Sequence, residues 1–189
     1  MSALEKLARI SEQDYLTFEL TAECRHEYVD GYVYAMAGAS ERHNRISGNL
    51  FFHLRAAARG GRCGVFASDM KLRVKQDRRY YYPDVMLACD PNDNEPLFKE
   101  QPCLLAEVLS SGTAAIDRRE KLMAYQKISS LRYYLIVASD RERVDYFVRD
   151  SNGDWQTAAL DAGEKLTVSC DAYQAVFQLA DIYEDVVFD

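Results

Sequence analysis

Tyr80-Tyr81-Tyr82-Pro83-Asp84-Val85-Met86-Leu87 and, further on, Cys103-Leu104-Leu105-Ala106-Glu107-Val108-Leu109-Ser110 are two apolar, strand-like stretches. Each carries a single acid in its middle. An ionised carboxylate among buried apolar side chains is costly unless it is paired or binds a metal. Two such acids on neighbouring strands point to a hard-cation site. Mg²⁺ takes oxygen ligands and is often held by one or two carboxylates, which leaves positions for water and a substrate phosphate. Asp84 and Glu107 are therefore expected to face one cavity.

The flanking segments supply a sheet and its helices. Ser11-Glu12-Gln13-Asp14 reads as a helix start, with Ser11 as N-cap and Asp14 at the capping-box position. That helix is expected to end by Thr21 or Ala22. His26 to Met36 reads as two short strands around Asp30-Gly31, a favoured hairpin turn. Ser40 to Ala58 reads as a helix, because Ile46, Leu50, Phe51, Leu54 and Ala58 follow helical spacing and Gly60-Gly61 stops it. Strand-like segments follow at about 63–75, 79–89 and 102–109, then a helix at about 114–128. Tyr133 to Ala138 reads as a strand, and Arg143 to Val148 with Asn152-Gly153 and Trp155 reads as a late hairpin. Leu166-Thr-Val and Val176-Phe-Gln-Leu are expected to form short edge structure. The order fits a mixed α/β (α+β) sheet flanked by helices, with an N-terminal helix and hairpin.

The chain has 189 residues, enough for one well-buried core, and no repeat or Pro/Gly/Ser linker divides it. A single domain over 1–189 is expected. The apolar runs are too short to span a bilayer, and the first residues lack an apolar signal region, so a cytoplasmic location is expected. The five cysteines, Cys24, Cys63, Cys89, Cys103 and Cys170, are odd in number and form no Cys-x-x-Cys pair. They read as reduced, mostly buried thiols rather than a disulfide or zinc framework. His26, His43 and His53 have no zinc-ligand spacing. His43, near a helix start, either contacts a phosphate or caps. No Gly-rich phosphate loop and no Gly-x-Ser-x-Gly elbow is present, which removes support for P-loop nucleotide hydrolysis and serine acyl transfer.

Net charge is −7, unevenly spread: −4 over residues 1–40, +7 over 41–79 and −10 over 80–189. The overall sign argues against indiscriminate nucleic-acid binding. The basic middle is either a phosphate-facing surface beside the acid pair or a solvated face, and charge alone favours the second.

The expected helix from Ala114 carries Asp117-x-x-x-Lys121-x-x-x-Tyr125, positions that share one helix face. Alone, Asp117 and Lys121 read as a wet ion pair worth a few tenths of a kcal/mol. At about 100° per residue, Lys121 lies about 140° around from Ile116, where periodicity would expose it.

Taken in order, Glu27-Tyr-Val-Asp30-Gly31, Met36-Ala-Gly, His43, Tyr82-Pro83-Asp84-Val85, Glu107-Val-Leu-Ser110, Asp117-x-x-x-Lys121-x-x-x-Tyr125 and Tyr133-Tyr-Leu-Ile-Val resemble the Uma-two family of restriction-type endonucleases. That family lies within the PD-(D/E)xK nuclease superfamily. The resemblance spans roughly residues 11–160. It implies a restriction-endonuclease-like αβββαβ core in which Asp84 and Glu107, joined by the backbone carbonyl of Val108, hold Mg²⁺, with Mn²⁺ as a substitute. It further implies phosphodiester hydrolysis of DNA. One departure stands out: the superfamily's lysine position, two after the second acid, is Leu109. The resemblance offers Lys121 as the substitute, and a long, flexible lysine stem can reach in from a helix. Glu27, Asp69 and Asp117 are secondary site candidates, although Asp69 reads equally as a turn residue. Ser110 and Ser111 either contact a phosphate or cap the next helix. Tyr80 to Tyr82 either stack bases or pack in the core, the commoner role. A homodimer would suit cutting both strands of a duplex. The rival reading is a non-cleaving nucleic-acid or protein-binding module on the same fold. The Leu109 departure and the net charge favour it; the intact acid pair favours the enzyme.

Overall fold

The computed structural model describes residues 9–109 and 117–188. Helix α1 (Glu12–Glu19) starts at Ser11, whose side chain accepts from the Asp14 N–H. Strands β1 (His26–Val29) and β2 (Tyr32–Ala35) form the expected hairpin. Its turn places Asp30 and Gly31 at φ 46° and 96°, the positive values a type I′ turn requires. Helix α2 (Glu41–Ala57) is capped by Ser40 and buries Ile46, Leu50 and Leu54.

The remaining strands are β3 (Gly64–Ala67), β4 (Lys71–Val74), β5 (Arg79–Tyr81), β6 (Val85–Ala88), β7 (Phe98–Lys99), β8 (Pro102–Leu109), β9 (Tyr133–Ala138), β10 (Val144–Arg149), β11 (Trp155–Leu160), β12 (Leu166–Cys170) and β13 (Tyr173–Phe177). A six-stranded sheet runs β11-β10-β9-β8-β6-β3, and a five-stranded sheet runs β2-β1-β5-β4-β7. In the first, β8 pairs antiparallel with β6 and parallel with β9, so the sheet is mixed. One turn of π-helix (Asp117–Lys121) leads into α3 (Leu122–Tyr125) between β8 and β9. The succession α2, β3, β6, β8, helix, β9 is the αβββαβ core. The tail forms a separate β12–β13 hairpin followed by α4 (Leu179–Ile182).

Every residue of β8 is buried, because the strand has a covered face on each side. Leu104, Ala106 and Val108 join α2 in one apolar cluster, together with Val85 and Leu87 of β6. Leu105 and Leu109 join Met86, Tyr81, Ala124 and Tyr125 in a second cluster. Alternation along a strand explains the split.

Two expected strands prove to be four. The 79–89 stretch leaves the five-stranded sheet after Tyr81 and enters the six-stranded sheet at Val85. Pro83 lies at the crossing, where its missing N–H costs no ladder hydrogen bond. The 63–75 stretch divides at the Ser68-Asp69 turn into β3 and β4, again in different sheets. Part of the expected 114–128 helix lies outside the described residues, as do Ser110 and Ser111.

The cysteine reading requires correction. Cys63 is bonded to Cys89 and Cys103 to Cys170, with Cα–Cα separations of 4.1 and 6.2 Å; Cys24 is free and exposed. Cys63 and Cys89 each stand one residue beyond the Gly64↔Ala88 pair, directly opposite on the β3–β6 ladder. Such opposition arises from register, which irregular sequence spacing does not display. Disulfides persist mainly in oxidising compartments, so the expected cytoplasmic location loses its thiol argument. No helix among the described residues is long and apolar enough to cross a membrane.

The tripeptide that crosses between the sheets is anchored by a buried acid. Glu19, 1% exposed, accepts from the Tyr82 hydroxyl at 2.8 Å and the His26 N–H at 2.9 Å, and its second oxygen lies 3.1 Å from His26 Nδ1. Removing the acceptor strands buried donors at a cost of about 1–3 kcal/mol. Glu19→Ala is expected to lose about that much stability in urea denaturation, and Glu19→Gln, which keeps an acceptor oxygen, less. Equal stability of all three proteins would show that this network does not hold the crossing.

Candidate functional site

The β6–β8 register pairs Val85 with Ala106 and Met86 with Leu105. One step further along the ladder, Asp84 stands opposite Glu107. Directly opposed residues of an antiparallel pair project from the same face, with Cβ atoms about 4.5–5.5 Å apart. Both acids lie on the face of the second apolar cluster, since Leu105, Leu109 and Met86 share their parity. The Val108 N–H donates to Asp84 Oδ2 at 2.7 Å, which ties the two strands at this point.

Helix and hairpin close over the acids. Lys121, at the end of the π-turn, lies with its ammonium 3.2 Å from Glu107 Oε2 and 2.9 Å from Glu27 Oε1. The Glu27 contact is ionic rather than a directed hydrogen bond. The ammonium also lies 5.6 Å from the Tyr81 ring centroid, within cation–π range. The Tyr125 hydroxyl donates to Glu107 Oε1 at 2.7 Å. Burial, and then the Glu107 charge, push the Tyr125 hydroxyl well above its ordinary pKa of 10, so it remains protonated and a donor. From α2, His43 Nε2 reaches 3.3 Å from Asp84 Oδ2.

Glu27, Asp84, Glu107 and Lys121 are all at least four-fifths covered in their side chains. Among the described residues, three carboxylates lie against one ammonium in a poorly hydrated place, an excess of acids that favours a cation. Among the described residues no three His, Cys, Asp or Glu side chains close on one point. A metal here would rest on two side chains and complete its shell with backbone carbonyl, water and phosphate oxygens, as Mg²⁺ habitually does.

Comparison with known proteins bears on the family and the fold. The sequence profile of the Uma2 family, described as "Putative restriction endonuclease", matches residues 12–180. The chain belongs to the Uma2 family. Two relatives come from Synechocystis sp. (strain ATCC 27184 / PCC 6803 / Kazusa). "Uncharacterized protein slr1290" is 36% identical over 159 residues, 84% of each chain. "Uncharacterized protein sll1609" is 32% identical over 154 residues, 80% of this chain and 87% of the relative. The fold recurs in a crystal structure from Anabaena variabilis ATCC 29413, described as "a putative nuclease belonging to DUF820". Its TM-score is 0.76 over 94% of this chain and 99% of that one, at 13% identity, a likeness that speaks for the fold.

In this Uma2 chain the tertiary structure brings together Glu27, Asp84, Glu107 and Lys121. It does not bring Asp69 to them. Asp69 lies in the turn between β3 and β4, its carboxylate 3.1 Å from Arg25 Nε and largely exposed. The Asp117 side chain lies outside the described residues. Tyr80, Tyr81 and Tyr82 are buried packing residues, so none offers a face for stacking bases. Much of the basic excess over 41–79 is met locally: Arg45, Arg62, Arg73, Arg78 and Arg79 all sit in ion pairs.

Periodicity would have exposed Lys121, yet it is buried. The reason is the π-turn that ends on it: a wider winding shifts side-chain directions away from the 100° rule. Tyr125, the last residue of the Asp117-x-x-x-Lys121-x-x-x-Tyr125 motif, carries no assigned role in the sequence reading. Its spacing of four from Lys121 was the available signal for a residue on the same side of the helix.

Proposed function

We propose that this chain is a metal-dependent endonuclease that hydrolyses phosphodiester bonds of DNA, with Mg²⁺ as its ion. The observation that carries the reading is the buried constellation of two opposed acids and one ammonium at the junction of the two sheets. Family membership supports it. Asp84 and Glu107, with the Val108 carbonyl, would hold the ion. When bound, the ion supplies a polarised phosphoryl oxygen and a bound water of lowered pKa.

The chain's own residues do the rest. Lys121 holds a positive charge where negative charge develops on the phosphoryl oxygens, and a preoriented cation of this kind favours the transition state over the ground state. Glu27 and Glu107 fix that ammonium, and Tyr125 fixes Glu107. The apolar faces around Leu105, Leu109 and Met86 exclude water, which strengthens each of these interactions. Two copies working as a pair would suit cutting both strands.

The test is supercoiled plasmid incubated with the protein, with and without Mg²⁺. Relaxed and linear products are expected only with the metal. DNA retained on the protein but uncut at every metal concentration would replace the enzyme with a non-cleaving binding module.

A further inference from the structure

A second chemical cluster gathers where α1 meets β1, from residues that the proposed cleavage does not use. Cys24, the free and exposed cysteine, lies with Sγ 3.6 Å from His26 Nε2. Sulfur is a large atom, and this is contact distance for a thiol donating to an imidazole nitrogen. The His26 side chain is 10% exposed, and its other nitrogen, Nδ1, lies 3.1 Å from Oε2 of Glu19, whose side chain is wholly buried.

The base and the acid behind it are held in place. The Tyr82 hydroxyl and the His26 N–H both donate to Glu19 Oε1, at 2.8 and 2.9 Å. Burial, and then the bond to Glu19, push the Tyr82 hydroxyl above its ordinary pKa of 10, so it stays a donor. The Tyr15 hydroxyl donates to the His26 carbonyl at 2.7 Å, and the Phe18 ring packs 4.9 Å from the imidazole, centre to centre. An ionised carboxylate only accepts. Nδ1, which faces it, therefore carries the ring hydrogen, and Nε2 keeps its lone pair for the Cys24 thiol. A nucleophile, a base within reach of it and a third group that orients the base are the parts by which proteins activate a side chain for attack.

We propose that Cys24 is an activated thiol, with His26 as its base and Glu19 as the positioning residue, and that it forms mixed disulfides with small disulfide-bearing molecules. The thiol proton passes to His26 Nε2, and Cys24 Sγ attacks one sulfur of the incoming disulfide. A new S–S bond forms as the old one breaks, and the departing thiolate takes the proton back from His26. Cys24 is oxidised and the departing sulfur is reduced, with no further reactant. Exchange of this kind needs a nucleophilic, accessible sulfur and a proton for the leaving one, and these groups supply both. The inference stands apart from the nuclease reading, since none of the three residues takes part in the proposed cleavage.

The probe is glutathione disulfide, added to the full chain at pH 7. Mass spectrometry locates the modified residue, and the rate is compared with that of a peptide of residues 21–26, which keeps Cys24 and His26 but lacks Glu19 and the fold. An unassisted thiol is only a few per cent thiolate at pH 7, so the folded chain is expected to react about tenfold faster than the peptide. His26→Gln should lose that advantage. Glu19→Gln, which removes the charge that stabilises the protonated imidazole, should lose part of it, and His53→Gln none. The ratio of parent to peptide decides the matter even if the first two variants do not fold. A folded chain that reacts no faster than the peptide overturns the proposal, as does modification at Cys63, Cys89, Cys103 or Cys170 in place of Cys24. A folded His26→Gln protein that reacts at the parent rate overturns it too.

Discussion

Lys121→Ala is expected to slow DNA cleavage by about a hundred- to thousandfold, the 2.7–4 kcal/mol or so that one preoriented transition-state contact contributes. Lys121 contacts Glu107 and Glu27 at ion-pair distance and packs beside the Tyr81 ring, so its charge is held in place before substrate arrives. An interaction made only in the transition state lowers kcat and kcat/KM together, and that is the pattern expected here. Metal binding should survive, because the substitution removes a cation from the two acids rather than a ligand. The substitution also leaves buried carboxylates uncompensated, which destabilises by several kcal/mol in the worst case. Lys121→Gln, which restores a hydrogen-bond donor, separates lost chemistry from lost folding. Lys127 supplies the control on the same segment. Its ammonium meets Asp77 at 2.7 Å with half its side chain exposed, so Lys127→Ala should change stability by no more than about 0.5 kcal/mol and leave cleavage intact. A folded Lys121 variant that cuts at the parent rate would remove this residue from the chemistry.

Asp84→Asn is expected to abolish detectable cleavage and weaken Mn²⁺ binding by more than about a hundredfold. Losing a partner that merely orients a metal ligand typically costs about 10–100-fold, and losing the ligand itself costs more. The change is nearly isosteric. An amide oxygen can still accept the Val108 N–H, so the β6–β8 junction should hold and the folded fraction should match the parent. Calorimetry with Mn²⁺, with thermal melts run alongside, reads both quantities. Unchanged Mn²⁺ affinity in a folded variant would place the ion elsewhere or nowhere in this chain.

Much of this architecture was legible before any coordinates. Ser11 and Ser40 announced two helix starts, and Asp30-Gly31 announced a hairpin turn, because caps and turns are local chemistry. The stripe Ile46, Leu50, Leu54 announced the buried face of α2. Asp84 and Glu107 drew attention because an acid within an apolar strand is an electrostatic cost wherever the strand ends up. The residues of the candidate site could therefore be nominated one at a time from sequence.

Their relations could not. The stretches 63–75 and 79–89 each look like one strand, since apolar alternation is blind to which sheet a residue joins; the division of β5 from β6 and of β3 from β4 exists only in the pairing of the two sheets. Cys63 and Cys89 are 26 residues apart in the chain and opposite one another on a ladder, a fact of register. Lys121 faces inward because the backbone before it winds as a π-turn, a choice local propensity does not announce and the closing of the helix over the sheet decides. Asp69 and Glu27 are both acids on short apolar segments, yet only Glu27 meets the ammonium. Local chemistry determined which residues carry charge and where the chain turns; the pairing of two sheets determined which of those charges stand within 4 Å of each other. Coulomb interactions of that range depend on distance through space, and distance through space exists only once the core has closed.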